Sequence, residues 1–153
     1  MLKWFGAFIV LGAVAAAATF WFACPCTRIP GGPLTGEVAP SPVPDWSFVN
    51  DAGLCQVEVD RGIPWSINLN CMSSGGALYI SCSQCAGKGW SQAALVNPHG
   101  FIRVRETLYP VRLSRLTEAA KLDVAWQARA EKLKLKAGTA RPDHWWSFQL
   151  QSR

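Results

Sequence analysis

Charge is scarce in this chain of 153 residues: Asp, Glu, Lys and Arg together make up 16% of it, and none lies between Trp4 and Ala23. Histidine is scarcer still. His99 and His144 both sit in turn-like sequence with no nucleophile placed beside them, which leaves hydrolytic chemistry without a constellation. No internal repeat and no nucleic-acid-binding motif is visible, so nucleic acid is not an expected partner. Cys82 and Cys85 are followed by Ala86 rather than His, which disfavours covalent c-type haem attachment and makes haem a weak option. A zinc site needs four converging ligands, and the domain cysteines Cys55, Cys71, Cys82 and Cys85 include only one knuckle-like pair, so no metal is expected.

What the chain does have is a continuous apolar start. Twenty uncharged residues run from Trp4 to Ala23 and end in Phe20-Trp21-Phe22. At about 1.5 Å per residue a helix of that length just crosses a bilayer core, and the aromatics suit its interface. Residues 1–24 therefore read as a single-pass anchor in a bacterial-type inner membrane. Lys3 and the α-amine precede the segment and Arg28 follows it; the expectation is a cytoplasmic N-terminus with the folded part periplasmic. Two rivals stay open: a cleaved signal peptide with its site in Ala16-Ala17-Ala18, and lipidation of Cys24 after Ala23.

Residues 25–45 are rich in proline and glycine, lack periodicity and read as a semi-extended linker. The remainder, 46–153, is long enough for one domain. Trp65, Ile67, Leu69 and Cys71 alternate with Ser66, Asn68 and Asn70; Leu78, Ile80 and Cys82 repeat the period, and Ser73-Ser74-Gly75-Gly76 joins the two runs as a hairpin. A second hairpin starts at the Asn97-Pro98-His99-Gly100 turn, with Ile102 and Val104 in one strand and Tyr109, Val111 and Leu113 in the other. Thr117 is placed to cap a helix from Glu118, with Leu122, Trp126 and Leu133 on one stripe and Gly138 past its end. Trp146, Phe148 and Leu150 then alternate with Trp145, Ser147 and Gln149 in a closing strand. The fold class is mainly β (α+β): an antiparallel barrel with one C-terminal amphipathic helix behind a transmembrane helix.

The formal net charge is +5, and 9 Lys/Arg face 4 Asp/Glu between Phe101 and Lys136. A solvated basic face is the simplest account; lipid headgroups, an anionic cofactor or an acidic partner would use the same charge. The four domain cysteines suit disulfides in an oxidising compartment. Cys71 and Cys82 fall on the apolar sets of one hairpin, which would leave Cys55 with Cys85. A redox-active Cys82/Cys85 pair is the sharper alternative, although no helix N-terminus of a thioredoxin-like unit precedes it. With Trp146 inward, Trp145 is left on the outer face, an interface candidate toward a partner or a second copy.

The order of parts, two hairpins joined through Lys88-Gly89-Trp90 and Asn97-Pro98, Ile102-Arg103-Val104-Arg105, Leu108-Tyr109-Pro110-Val111, a helix and a last strand, resembles the flavin-reductase-like split β-barrel of the pyridoxamine 5′-phosphate oxidase superfamily. That resemblance implies a site for FMN and often a homodimer. Carried over by position, Ser81 and Ser83 are hydroxyl donors, Lys88 the phosphate cation, Trp90 an aromatic wall, and Arg103 or Arg105 a second cation. The function expected is binding or accessory, with a place as a small subunit of a larger membrane complex. The alternatives are an FMN-dependent oxidoreductase and a thiol-disulfide active protein working through Cys82/Cys85.

Overall fold

Alternation of buried and exposed side chains marks the strands at Leu54–Asp60 and His99–Val104, and hydrogen bonding closes the sheet on itself. The structure is a computed structural model that describes residues 2–153; Met1, and the Lys3 side chain counted toward membrane orientation, lie outside the description. After the apolar helix α1 (Leu2–Ala18) and a π-helical turn (Thr19–Ala23) come β1 (Glu37–Val38), β2 (Leu54–Asp60), β3 (Pro64–Ser74), β4 (Ala77–Ser83), α2 (Gly89–Val96), β5 (His99–Val104), β6 (Thr107–Arg115), α3 (Ala119–Lys132) and β7 (Trp145–Ser152). The sheet runs β1-β6-β5-β2-β3-β4-β7, and β7 also pairs with β6. Strands β2 to β7 thus form a closed, antiparallel six-stranded barrel, and β1 adds a short parallel strand at β6.

Both expected hairpins are present. In β3–β4, Ser74 pairs with Ala77, and the intervening Gly75 and Gly76 take φ of 56° and 77°, the left-handed pair that a two-residue hairpin loop needs. Besides the short β1 inside the segment expected to be a linker, two elements were not anticipated. Strand β2 buries Cys55, Val57 and Val59, and α2 turns what read as a short link into two helical turns closing one barrel end with Trp90 and Ala94. The interior is aliphatic and aromatic: Val57, Val59, Ile80, Ile102, Val111, Leu113, Phe148 and Leu150 form one cluster.

A second cluster lies outside the barrel, where α3 covers the outer faces of β3, β4 and β7 with Ala125 and Ala128 against Met72, Tyr79 and Trp145. Helix α3 begins one residue later than expected, with Glu118 rather than Thr117 at the cap and an ion pair from Lys121 to Glu118 at 2.9 Å. Trp145 does face outward, but it is only 2% exposed because α3 lies on it, with Trp126 edge-on at 5.1 Å. The expected exposed interface position is corrected accordingly.

The expected cysteine pairing is also corrected. Cys55 pairs with Cys71, Cα atoms 5.8 Å apart, and Cys82 with Cys85 at 5.5 Å; Cys24 pairs with Cys26. The reason is register. Cys71 lies opposite Ile80, not Cys82, whereas β2 places Cys55 opposite Leu69, one side-chain step from Cys71 on the same face.

Candidate functional site

The outer faces of β3, β2 and β5 form a polar strip. Asn68, Gln56 and Arg103 stand abreast in register, and Ser66, Glu58 and Phe101 form the next row. Across this strip runs the Pro/Gly-rich segment, held by its backbone: Gly31 exchanges hydrogen bonds with Ser66 (2.9 and 2.8 Å), the Leu34 amide donates to Glu58 Oε2, and Arg103 donates to the Thr35 carbonyl at 2.7 Å. Farther along, Ala39 donates to Leu108 O at 2.8 Å and Val43 to Ser152 Oγ at 3.0 Å. Residues 31–43 therefore lie on the barrel. Burial raises the Glu58 carboxyl above its ordinary value, and the Leu34 N–H partly offsets this.

Two clefts flank the chain at residues 25–30, where it approaches this strip. One, of about 570 Å³, is bordered by Thr27, Gln56, Asn68, Arg103, Arg105 and Glu106 among others. The other, of about 280 Å³, has Arg28, Ile67, Lys88 and Trp90 in its wall. They share Thr27 and Asn68, whose side-chain amide donates to the Thr27 carbonyl at 3.1 Å. Arg103 also donates to Gln56 Oε1, which fixes its guanidinium with N–H donors left for an anion. Arg105 sits at φ 55° in the exposed β5–β6 turn.

The six residues expected to bind FMN are thus split. Lys88, Trp90, Arg103 and Arg105 border the two neighbouring clefts. Ser81 and Ser83 lie on β4, on the outer face beside β7. Ser81 is buried beneath α3 and accepts from Arg129 at 3.2 Å, while Ser83 is exposed. Trp90 is 5% exposed, packs 5.5 Å from Phe148, and is a core residue as much as a cleft wall. Within one chain these residues do not fit a single FMN site. Cys82 and Cys85 are bonded and buried. Among the described residues no group of three or more His, Cys, Asp or Glu converges as metal ligands. Glu58, Gln56 and Asn68 are additions that the sequence reading missed; the alternation of Cys55-Val57-Val59 was the available signal for β2 and its outer face.

No protein-family model and no curated protein sequence matches the chain. Solved structures do share its fold. A Listeria innocua protein provisionally named a pyridoxamine 5′-phosphate oxidase aligns with a TM-score of 0.57 at 10% identity, over 69% of this chain and 87% of that one. A FAD-binding protein from Mesorhizobium loti gives 0.53 at 14%, over 69% and 84%. The heme storage protein HutZ from Vibrio cholerae gives 0.55 at 15%, over 69% and 85%. Another chain of this fold is described as a domain-swapped dimer. The fold is therefore the split β-barrel of the pyridoxamine 5′-phosphate oxidase type, which in these neighbours accompanies different ligands.

Proposed function

We propose that this protein is a membrane-held split-barrel binding or accessory protein, its barrel clamped at the outer surface of an inner membrane as a small subunit or docking module rather than swinging on a tether. The observation that carries this is the join between the apolar segment and the barrel. The Phe20 ring packs 5.4 Å from Trp65, the Gly32 amide donates to Phe20 O at 2.9 Å, and the chain then passes straight into its hydrogen bonds with Ser66, Glu58 and Arg103. An apolar helix of 20 residues at the N-terminus also fits a signal sequence, and the three disulfides fit an oxidising compartment under either reading.

The test is fractionation of the full chain followed by purification in mild detergent. Retention in the membrane pellet through alkaline carbonate, with a stoichiometric co-purifying protein, supports the reading; a soluble product lacking the first residues replaces the anchor with a cleaved signal. The second reading is an FMN-dependent oxidoreductase, favoured by the cations Lys88, Arg103 and Arg105 beside two clefts on a fold shared with a FAD-binding protein. Visible flavin absorption in the purified protein, lost in Arg103→Ala and kept in Lys134→Ala, would favour it.

A further inference from the structure

We propose that the barrel end next to the apolar helix is itself a lipid-contacting surface: Ile63, Leu95 and Val96 rest in the headgroup region of the bilayer, and Arg28, Arg61 and Lys88 meet anionic lipid phosphates around them. This inference rests on the anchored reading above. It starts from exposed apolar side chains that no packing explains. Val96 is 88% exposed, Ile63 47% and Leu95 44%, and nearby at the end of the apolar segment Phe22 is 85% exposed.

Contacts bring these residues to one end of the barrel. Phe20 touches Trp65, the second residue of β3, and the Arg61 guanidinium stacks on the same Trp65 ring at 4.2 Å. Ile63 lies in the turn between them. Arg61 also lies against Gly89, at the start of α2. The other end of α2 returns to the same turn: Asn97, next to Val96, donates to Asp60 at 3.3 Å. Arg28 and Lys88 share the 280 Å³ cleft with Ile29, which is 61% exposed.

Continuity selects the occupant. A segment that crosses the bilayer ends at Ala23, and the residues that touch its last turn cannot then be far from the lipid surface. Apolar side chains ringed by cations, with Asp60 and the half-buried Glu58 the acids beside them, match that boundary, where acyl chains meet phosphates. A protein partner would need to reach this end past the bilayer.

The test places a benzophenone amino acid at positions 9, 63, 96 or 51 of the full chain, reconstituted in phosphatidylcholine vesicles with or without phosphatidylglycerol. Asp51 is exposed beside Asn50, whose amide donates to Ser73 O at 3.0 Å at the far end of β3 from Trp65. Lipid adducts are expected at 9, 63 and 96 and not at 51. Arg28→Glu with Lys88→Glu should lower the yield at 96 about fivefold or more on anionic vesicles and little on neutral ones. Adducts at 9 without any at 63 and 96 would overturn this inference and leave the anchor standing. Equal yields at 96 and 51 would overturn it as well. Absence at 9 would remove the anchored reading and this inference together.

Discussion

Trp126 on α3 stands edge-on to Trp145 on β7, ring centroids 5.1 Å apart at 80°, and this pair pins the helix to the outside of the barrel. The Trp126 indole N–H donates to Thr139 O at 2.9 Å, fixing the chain that returns from α3 to β7. The Trp145 indole N–H is buried with no partner.

Trp145→Ala should accordingly cost about 3–5 kcal/mol, the range for deleting a buried large aromatic, and lower the melting temperature. Trp145→Phe should be tolerated far better, because it removes an unpaired buried donor while keeping most of the packing. Thermal unfolding of the two variants checks this. Equal loss in both would mean that the indole nitrogen is satisfied.

Peptide mapping under non-reducing conditions should recover Cys55 linked to Cys71 and Cys82 linked to Cys85, with few free thiols. The first bridge, spanning 16 positions, should contribute about 3 kcal/mol on chain-entropy grounds; the second, spanning 3, should contribute less. Denaturant unfolding of the two double Cys→Ala variants measures the order. Cross-links between Cys71 and Cys82 would require a different register for β3 and β4.

The sequence made some of this plain and hid the rest for physical reasons. Trp65 to Cys82 was readable because alternation and a Gly-Gly loop agree. Strand β2 carried the same alternation in Cys55-Val57-Val59 but had no partner hairpin in view. Helix α2 starts at Gly89 without a side-chain cap, so nothing local announced it. Period placed Trp145 on the outer face, yet only tertiary packing decides that α3 covers it. The docking of residues 31–43 depends largely on main-chain groups, which no side-chain pattern reports. For the same reason the cleft cations were legible as residues while the clefts were not.

Glu58 ties the crossing segment to the barrel through the Leu34 amide, and burial raises its carboxyl above the ordinary 4.5. The folded chain therefore holds this proton more tightly than the unfolded chain. Stability from this group is full below the unfolded value and falls as pH rises through the folded one. Glu58→Gln keeps an acceptor without the charge. Unfolding measured between about pH 4 and about pH 7 should show a smaller loss in the variant than in the parent. Identical pH profiles would mean that Glu58 titrates as it does in the unfolded chain.

Gly31 is the tightest point of the crossing. A Cβ there would overlap the backbone of Cys24 and Pro25, which cannot move aside without disturbing the end of the apolar segment. Gly31→Ala should therefore lift the segment off β3, breaking the paired hydrogen bonds with Ser66 while leaving the six-stranded barrel and its core intact. Gly53, with open space around it, provides the control. In hydrogen exchange the Gly31→Ala chain should lose protection at the Ser66 and Leu34 amides and keep it at Val57 and Ile102, and a protease should cut within residues 25–45 far faster than in Gly53→Ala. Loss of protection throughout the barrel would make the crossing segment an integral part of the folding unit, and the clamp would then be a structural strand in all but name.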